Sequence, residues 1–360
     1  MSCALLPPEL LDAVCQSLQP DALANLALSC TAFTAVAHRQ LYRHIALSSH
    51  AKNLAALHTL AARPHLAPLV RTFALSLDDA DANVEQYCTI LSSVLRGMSE
   101  LTALELHIGS DSSWVLTGSP PDVCYPRLES FASSFALDAH VASFLTRTPH
   151  LRSLSVSPVV PDAAMHLPST AIPHLNTYSG PASLLALLLP ARPIVSLHLS
   201  GDLSAADIEQ LANASRLSRL SAEDDTSSCA HRSHALQVLS AVTSTPPVVV
   251  LEALANACPH LACLRIMSTC AFWEAPDLTL YTRIASTLCS FPDLAVFELS
   301  GMHWESRPRT IPALSPDGTP SEKEWISPPV TPRTLEQDDI DFDRQDEDLT
   351  FEESFLEWAY

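Results

Sequence analysis

The chain has 360 residues, of which 47% are hydrophobic, and a formal net charge of −20 at pH 7. The apolar content suffices for a large buried core, whereas the acidic balance repels phosphate backbones and argues against a nucleic-acid-binding protein. The longest apolar run, Leu184–Leu189, is far too short to span a bilayer, so no membrane partner is expected.

The first fifty residues predict three short helices. Pro7 and Pro8 mark the start of the first helix, because the fixed φ of proline suits a first turn and its missing N–H is not needed there. Apolar residues then recur at spacings of three and four, and Pro20 restarts the pattern for a second helix. Helices of this length cannot bury all their apolar surface among themselves, so they must contact the rest of the chain, a partner, or both.

Residues 5–48 resemble an F-box. The resemblance lies in Leu6-Pro7-Pro8-Glu9-Leu10-Leu11, Pro20-Asp21-x-Leu23, Leu28-Ser29-Cys30-x-x-Phe33 and Leu41-Tyr42-Arg43-His44. An F-box docks on the small adaptor subunit of cullin–RING ubiquitin ligases, so the resemblance implies an F-box domain over 1–48 and this adaptor as a partner. The adaptor-binding surface would comprise Leu6, Pro7, Pro8, Leu10, Leu11, Val14, Leu18, Leu23 and Leu26. The alternative is a helical cap on the following domain, with no adaptor bound.

A second pattern repeats from about residue 66 to 301. In each unit an apolar residue at position i is followed by an apolar or aromatic residue at i+3 and by an apolar or small residue at i+5. It occurs at Val70/Phe73/Leu75, Leu101/Leu104/Leu106, Leu128/Phe131/Ser133, Leu151/Leu154/Val156, Leu175/Tyr178/Gly180, Ile194/Leu197/Leu199, Leu217/Leu220/Ala222, Leu236/Leu239/Ala241, Leu261/Leu264/Ile266 and Leu294/Phe297/Leu299. The starts lie about 25 residues apart, within the range of roughly 20–29 for leucine-rich repeats.

Proline punctuates the repeats. Five units carry proline two positions before the leucine, at residues 126, 149, 173, 259 and 292, where it ends a helix and favours extended backbone. The sequence therefore predicts an α/β fold in which 49–301 form an irregular leucine-rich-repeat solenoid, of the kind often found behind an F-box. The alternative is an ordinary α/β domain. The chain has only seven glycines, and this low number argues against a Rossmann-like sheet, whose phosphate loop needs glycine, as does the proline punctuation.

Strand residues between the apolar positions are expected to face outward. Parallel strands about 4.8 Å apart would present an extended surface, which suits a protein client better than a small molecule. The residues predicted to contact this unidentified client are Glu105, His107, Arg152, His198, Arg219, Arg265 and Glu298.

Residues 302–360 are predicted to be a Pro-rich linker and an acidic tail, mostly disordered. Ser315, Thr319, Ser327 and Thr331 precede proline, as proline-directed phosphorylation targets do, although an unregulated loop has the same composition. Segment 335–360 has eleven carboxylates and one arginine, a net charge of −10. Its aromatic residues at 351, 355 and 358 fit either an amphipathic helix formed on binding or a solvated tail.

No motif for catalysis, a cofactor or a metal site is recognised. Cys229-x-His231-x-x-His234 lacks a second ligand pair, and there is no nucleophile elbow, P-loop or dinucleotide fingerprint. Ten cysteines without paired spacing, although compatible with disulfide bridges, fit reduced thiols better, and no secretory signal is recognised. A cytoplasmic or nuclear protein is therefore expected. The sequence thus predicts a non-enzymatic ubiquitin-ligase substrate receptor or, alternatively, a leucine-rich scaffold or inhibitor without ligase association. A hydrolase whose Ser, His and Asp meet only in the fold is a third reading.

Overall fold

The structure is a computed structural model that describes residues 7–78, 83–118, 123–159, 166–189, 192–223, 236–270, 278–308 and 323–326. Several predicted features lie outside these ranges: Leu6, the Cys229/His231/His234 group, the four Ser/Thr-Pro sites and the acidic tail. Within them, no helix combines the length and apolar character needed to cross a bilayer.

Helices α1 (Pro8–Gln16), α2 (Pro20–Ser29) and α3 (Thr31–Leu41) form an N-terminal helical unit. Pro8 and Pro20 occupy first turns, as the sequence predicts. The unit has its own small core, separate from that of the remaining fold, built from Leu11, Cys15, Leu23, Val36 and Ala37. The unit is joined to the rest where α3 contacts the 3-10 turn Pro64–Leu69.

The prediction of an α/β fold is confirmed: a 12-stranded sheet follows, with its strands in chain order. The strands are β1 (His44–Ser48), β2 (Thr72–Ser76), β3 (Ala103–His107), β4 (Ser130–Ser133), β5 (Ser153–Ser155), β6 (Thr177–Pro181), β7 (Ser196–Asp202), β8 (Val238–Thr243), β9 (Cys263–Ser268), β10 (Val296–Leu299), β11 (Met302–Pro308) and β12 (Lys323–Ile326). The helices are α4 (Ala55–Ala62), α5 (Val84–Leu95), α6 (Ala139–Leu145), α7 (Leu185–Leu188), α8 (Ala205–Glu223), α9 (Pro247–Ala257) and α10 (Leu278–Leu288). Strands β1 to β10 are parallel, whereas β11 and β12 return antiparallel.

Each strand turns alternate side chains into the core, so one face packs against the helices and the other is open. The register aligns one core residue from each of the first eleven strands, and all are at most 8% exposed. This row is Ile45, Phe73, Leu104, Phe131, Leu154, Tyr178, Leu197, Leu239, Leu264, Phe297 and Trp304. A single strand and its connection cannot bury such a residue alone, so neighbours stabilise one another.

Two tryptophans close the sheet beyond β10. Trp304 on β11 packs against Phe297 and Tyr281, with ring centroids 5.9 and 5.8 Å apart, and Trp304 and Trp325 are each 4% exposed. The sequence predicts a solvated linker from residue 302, but these two short stretches form strands. Burial of the two indole rings favours the ordered pairing, because aromatic side chains bury more apolar surface than other residues.

The predicted strand at Leu217/Leu220/Ala222 is wrong, because these residues lie in helix α8. The Ser204 and Asp207 side chains each accept the other's backbone N–H and so cap the start of α8. No proline stands two positions before Leu217 to end the helix, unlike in five of the true strand units. The next parallel partner of β7 is therefore β8, around Leu239.

Gly180 on β6 takes the third apolar position of its repeat because the Tyr178 ring fills that space. A Cβ at Gly180, whose φ is 156°, would lie 2.6 Å from the Tyr178 hydroxyl oxygen and 2.8 Å from Val156 Cγ2. We expect Gly180→Ala to lower the free energy of unfolding by about 1–3 kcal/mol through overpacking, in addition to the backbone strain that its positive φ causes. Urea denaturation followed by circular dichroism measures this.

Gly201→Ala is the matched control for that substitution. Gly201 also has a positive φ, 79°, but nothing lies within 4 Å of an added Cβ. Its substitution should therefore lower stability only through backbone strain, by about 1–2 kcal/mol. Equal effects at Gly180 and Gly201 would contradict the packing explanation.

Candidate functional site

Helix α1 presents two apolar faces. Leu11 and Cys15 point into the core of the helical unit, at 9% and 1% exposure. Leu10 and Val14, four residues apart and thus neighbours on the helix surface, are 54% and 57% exposed. Pro7 precedes them by three residues and is also exposed. We call Pro7, Leu10 and Val14 the α1 stripe.

The structure divides the residues predicted to bind the adaptor. Among those whose burial the structure describes, which leaves out Leu6 and Pro8, only the α1 stripe is exposed. Leu28 on α2, which belongs to the F-box resemblance but was not assigned to the docking surface, is 86% exposed. Including Leu11 and Leu23 in the docking surface is wrong, because both are buried in the core of the helical unit. Leu18 and Leu26 are half-buried and pack against the same core.

A second surface runs along the open face of the sheet. The register places side by side one residue from each of the first eleven strands that alternates with the core row, and we call this set the central row. Of its members only Ser240, at 4% exposure, is buried. It comprises Ala46, Ala74, Glu105, Ala132, Ser155, Ser179, His198, Ser240, Arg265, Glu298 and His303. Four of the seven predicted client-binding residues, Glu105, His198, Arg265 and Glu298, thus share one row.

Charged groups lie towards both ends of the central row and small side chains lie between them. On β3, Glu105 Oε1 lies 2.7 Å from His107 Nε2, and both side chains are about half exposed. The next three strands contribute only alanine and serine to the row. From Glu105 to His198 the row crosses four strand spacings, about 19 Å.

The second charged group occupies β7 to β11. Glu298 Oε2 lies 3.7 Å from Arg265 Nε on one side and 3.8 Å from His303 Nδ1 on the other, and only 13% of the Glu298 side chain is exposed. On β7, Ser196 Oγ lies 3.2 Å from His198 Nε2. We call His198, Arg265, Glu298 and His303 the β7–β11 cluster.

Electrostatics tune this cluster towards a neutral imidazole. Partial burial, and secondarily the charge of Arg265, lowers the pKa of His198. Burial also raises the pKa of the neighbouring Cys263 thiol, which keeps it protonated although Arg265 acts in the opposite direction. The cluster therefore presents the Arg265–Glu298 ion pair together with a neutral His198, and the Ser196 hydroxyl lies beside it. Such groups suit reversible polar contacts.

The remaining predicted client residues lie elsewhere. Arg152 is exposed directly before β5, where its carbonyl accepts two N–H bonds from the next unit. The prediction that Arg219 lies on a strand is wrong, because it belongs to helix α8. His303 also belongs to the central row but was not predicted, because no repeat pattern in the sequence marks the antiparallel strand β11.

The Ser196–His198 pair bears on the hydrolase interpretation. A hydroxyl and an imidazole at this distance resemble a nucleophile and its base, but a triad also needs a carboxylate on the second ring nitrogen. The row's nearest carboxylate, Glu298, lies three strands away and pairs with Arg265 and His303. Within the described ranges, moreover, no three His, Cys, Asp or Glu side chains converge as a metal site requires.

No protein-family model matches the chain, and no curated protein matches it either.

Proposed function

We propose that this chain is the substrate receptor of a cullin–RING ubiquitin ligase. Its helical unit would be an F-box that docks on the adaptor subunit, and its sheet would hold a protein client while other subunits transfer ubiquitin. The chain itself would perform no chemistry. The observation that carries the proposal is the α1 stripe: Leu10 and Val14 remain more than half exposed although α1 already buries its opposite face. Exposed apolar side chains in a contiguous set mark interaction sites.

The sheet supports the second half of the proposal, an irregular leucine-rich-repeat solenoid. Parallel strands in chain order that share one core row are what stacked repeats produce. The asparagines expected after the strands in this family are not regularly present, but serine hydroxyls accept backbone N–H groups at such positions. Ser134 Oγ accepts the N–H of Ile108 at 3.1 Å, and Ser300 Oγ accepts that of Ser268 at 3.0 Å.

The alternative is a leucine-rich scaffold or inhibitor whose helices only cap the sheet. The contact of α3 with the 3-10 turn Pro64–Leu69, and the packing of Tyr42 against the main core, are what a cap would also show. Titration of the purified full chain with the purified adaptor subunit separates the two functions. A stoichiometric complex is expected for the receptor, whereas no binding at micromolar concentrations would leave the scaffold.

Client binding is expected to depend on the β7–β11 cluster. Arg265→Glu would place two carboxylates together on the row and repel a client complementary to the existing pair. We expect the affinity for a client to fall about tenfold or more. Comparative proximity labelling in cells, with wild-type and variant chains, would show which partners are lost.

Arg283→Glu serves as the control for this reversal. Arg283 is 64% exposed on helix α10, away from the open face, and pairs with Glu252 at 3.7 Å. The control should label the same partners as the wild type, and both variants should still bind the adaptor. If Arg265→Glu retained every partner that the control retains, the cluster would not be the client site.

A further inference from the structure

The two ends of the sheet are protected differently. At the far end, β12 is only four residues long, and Lys323 Nζ donates to the carbonyls of Pro292 and Leu294 at 2.6 and 3.3 Å. At the near end, β2 is the only strand that pairs with β1 in the part of the chain that the structure describes. An edge strand of this kind presents unpaired N–H and C=O groups that can recruit another strand.

The outward groups of β1 belong to alternate residues. The Thr72 N–H of β2 donates to the carbonyl of Arg43, which precedes β1, and the N–H of Ser49, which follows β1, donates to the Ser76 carbonyl of β2. These groups of Arg43 and Ser49 therefore point towards β2. The same alternation turns the C=O of Ala46 and the N–H of Ser48 away from β2, towards the edge. An added strand would have to bond these two groups.

One side chain already does so. Asn53 Nδ2 donates to the Ala46 carbonyl at 2.8 Å, and the Ser48 N–H donates to Asn53 Oδ1 at 2.9 Å. A carboxamide bonded in this way reproduces the donor and acceptor of one residue in a neighbouring strand. The turn before it adopts an unfavourable conformation, with Lys52 at φ 53°. A non-glycine residue in this region is strained, so the turn is held by its surroundings.

We propose that Asn53 closes the β1 edge against strand addition, and that without it two copies of the chain pair through β1. A second copy is the fitting occupant because identical edges related by a two-fold axis meet antiparallel and each supplies the groups that the other lacks. Outward side chains on β1 include Ala46 and Ser48, which are small enough to let a neighbouring strand approach. Asn53 thereby keeps the chain monomeric through this edge.

The experiment compares full-length wild type and Asn53→Ala by size-exclusion chromatography with light scattering over a range of concentrations. The wild type is expected to remain monomeric, and Asn53→Ala to dimerise as concentration rises. At low concentration the Ser48 amide of the variant should exchange its hydrogen about tenfold faster or more, because its acceptor is gone. At dimerising concentration that protection should return.

Three further variants keep the outcome decisive. Asn256→Ala removes an exposed carboxamide that bonds only its own helix, and should stay monomeric. Ala46→Pro combined with Asn53→Ala removes an edge N–H and should restore the monomer, since proline is tolerated on edge strands. Asn53→Ser is used if Asn53→Ala fails to fold. A folded Asn53 variant that stays monomeric at all concentrations would overturn the proposal, as would a dimer that persists with Ala46→Pro.

Discussion

Replacing Arg192 with alanine is expected to destabilise the sheet by about 3–5 kcal/mol, because the substitution leaves buried carbonyls without hydrogen-bond donors. Arg192 is 7% exposed. Its guanidinium donates to the carbonyls of Ala171, Leu187, Leu188 and Pro168 at 2.9–3.2 Å. Burial lowers the pKa of Arg192, and the four carbonyl dipoles offset part of the cost of burying its charge.

Two substitutions separate the causes. Arg192→Lys keeps the charge but has a single nitrogen that cannot reach all four carbonyls, so an intermediate loss is expected. Arg283→Ala removes an exposed arginine whose ion pair is solvent-screened, and should change the free energy of unfolding by about 1 kcal/mol or less. Urea midpoints read by circular dichroism give the comparison. Equal midpoints for Arg192→Ala and Arg283→Ala would show that the buried network adds nothing.

The second large effect concerns the α1 stripe. Replacing both Leu10 and Val14 with glutamate should weaken binding of the adaptor subunit by about 100-fold or more, because a central apolar anchor contributes about 2 kcal/mol or more to an interface. Both side chains are over half exposed, so the change should leave folding nearly unaffected. Isothermal titration of the full chain with the adaptor measures the loss.

Two controls make this result specific. Val249→Glu alters an equally accessible valine, 52% exposed on helix α9, and should bind the adaptor like the wild type. Leu11→Ala acts on the core of the helical unit and should lower the stability of that unit by about 2–5 kcal/mol, weakening docking only indirectly. If the double glutamate variant bound as tightly as Val249→Glu, the helical unit would be a cap and the receptor function would be refuted.

The predicted triplets can be compared residue by residue with the strands of the structure. In nine of the ten predicted triplets the middle residue lies on one of the strands β2 to β10 and the first residue stands two positions before that strand, and all five proline-marked units are among them. The failure at Leu217 has a local cause, because leucines three apart fit a helix equally well and no proline interrupts it. Strand β1 was missed although Tyr42/Ile45/Leu47 repeats the pattern, since those residues also fit the end of the F-box resemblance.

By itself, then, the sequence determined the α/β class, the three initial helices and nine of the eleven residues in the buried row, because apolar periodicity and proline act locally and leave a readable pattern. Only the tertiary structure decided which leucines of α1 stay exposed, since helix spacing defines faces but not which face finds a neighbour. The same holds for the central row, where Arg265, Glu298 and His303 meet across three strands through register. The closing of the β1 edge by Asn53 depends on a turn whose path no periodicity encodes.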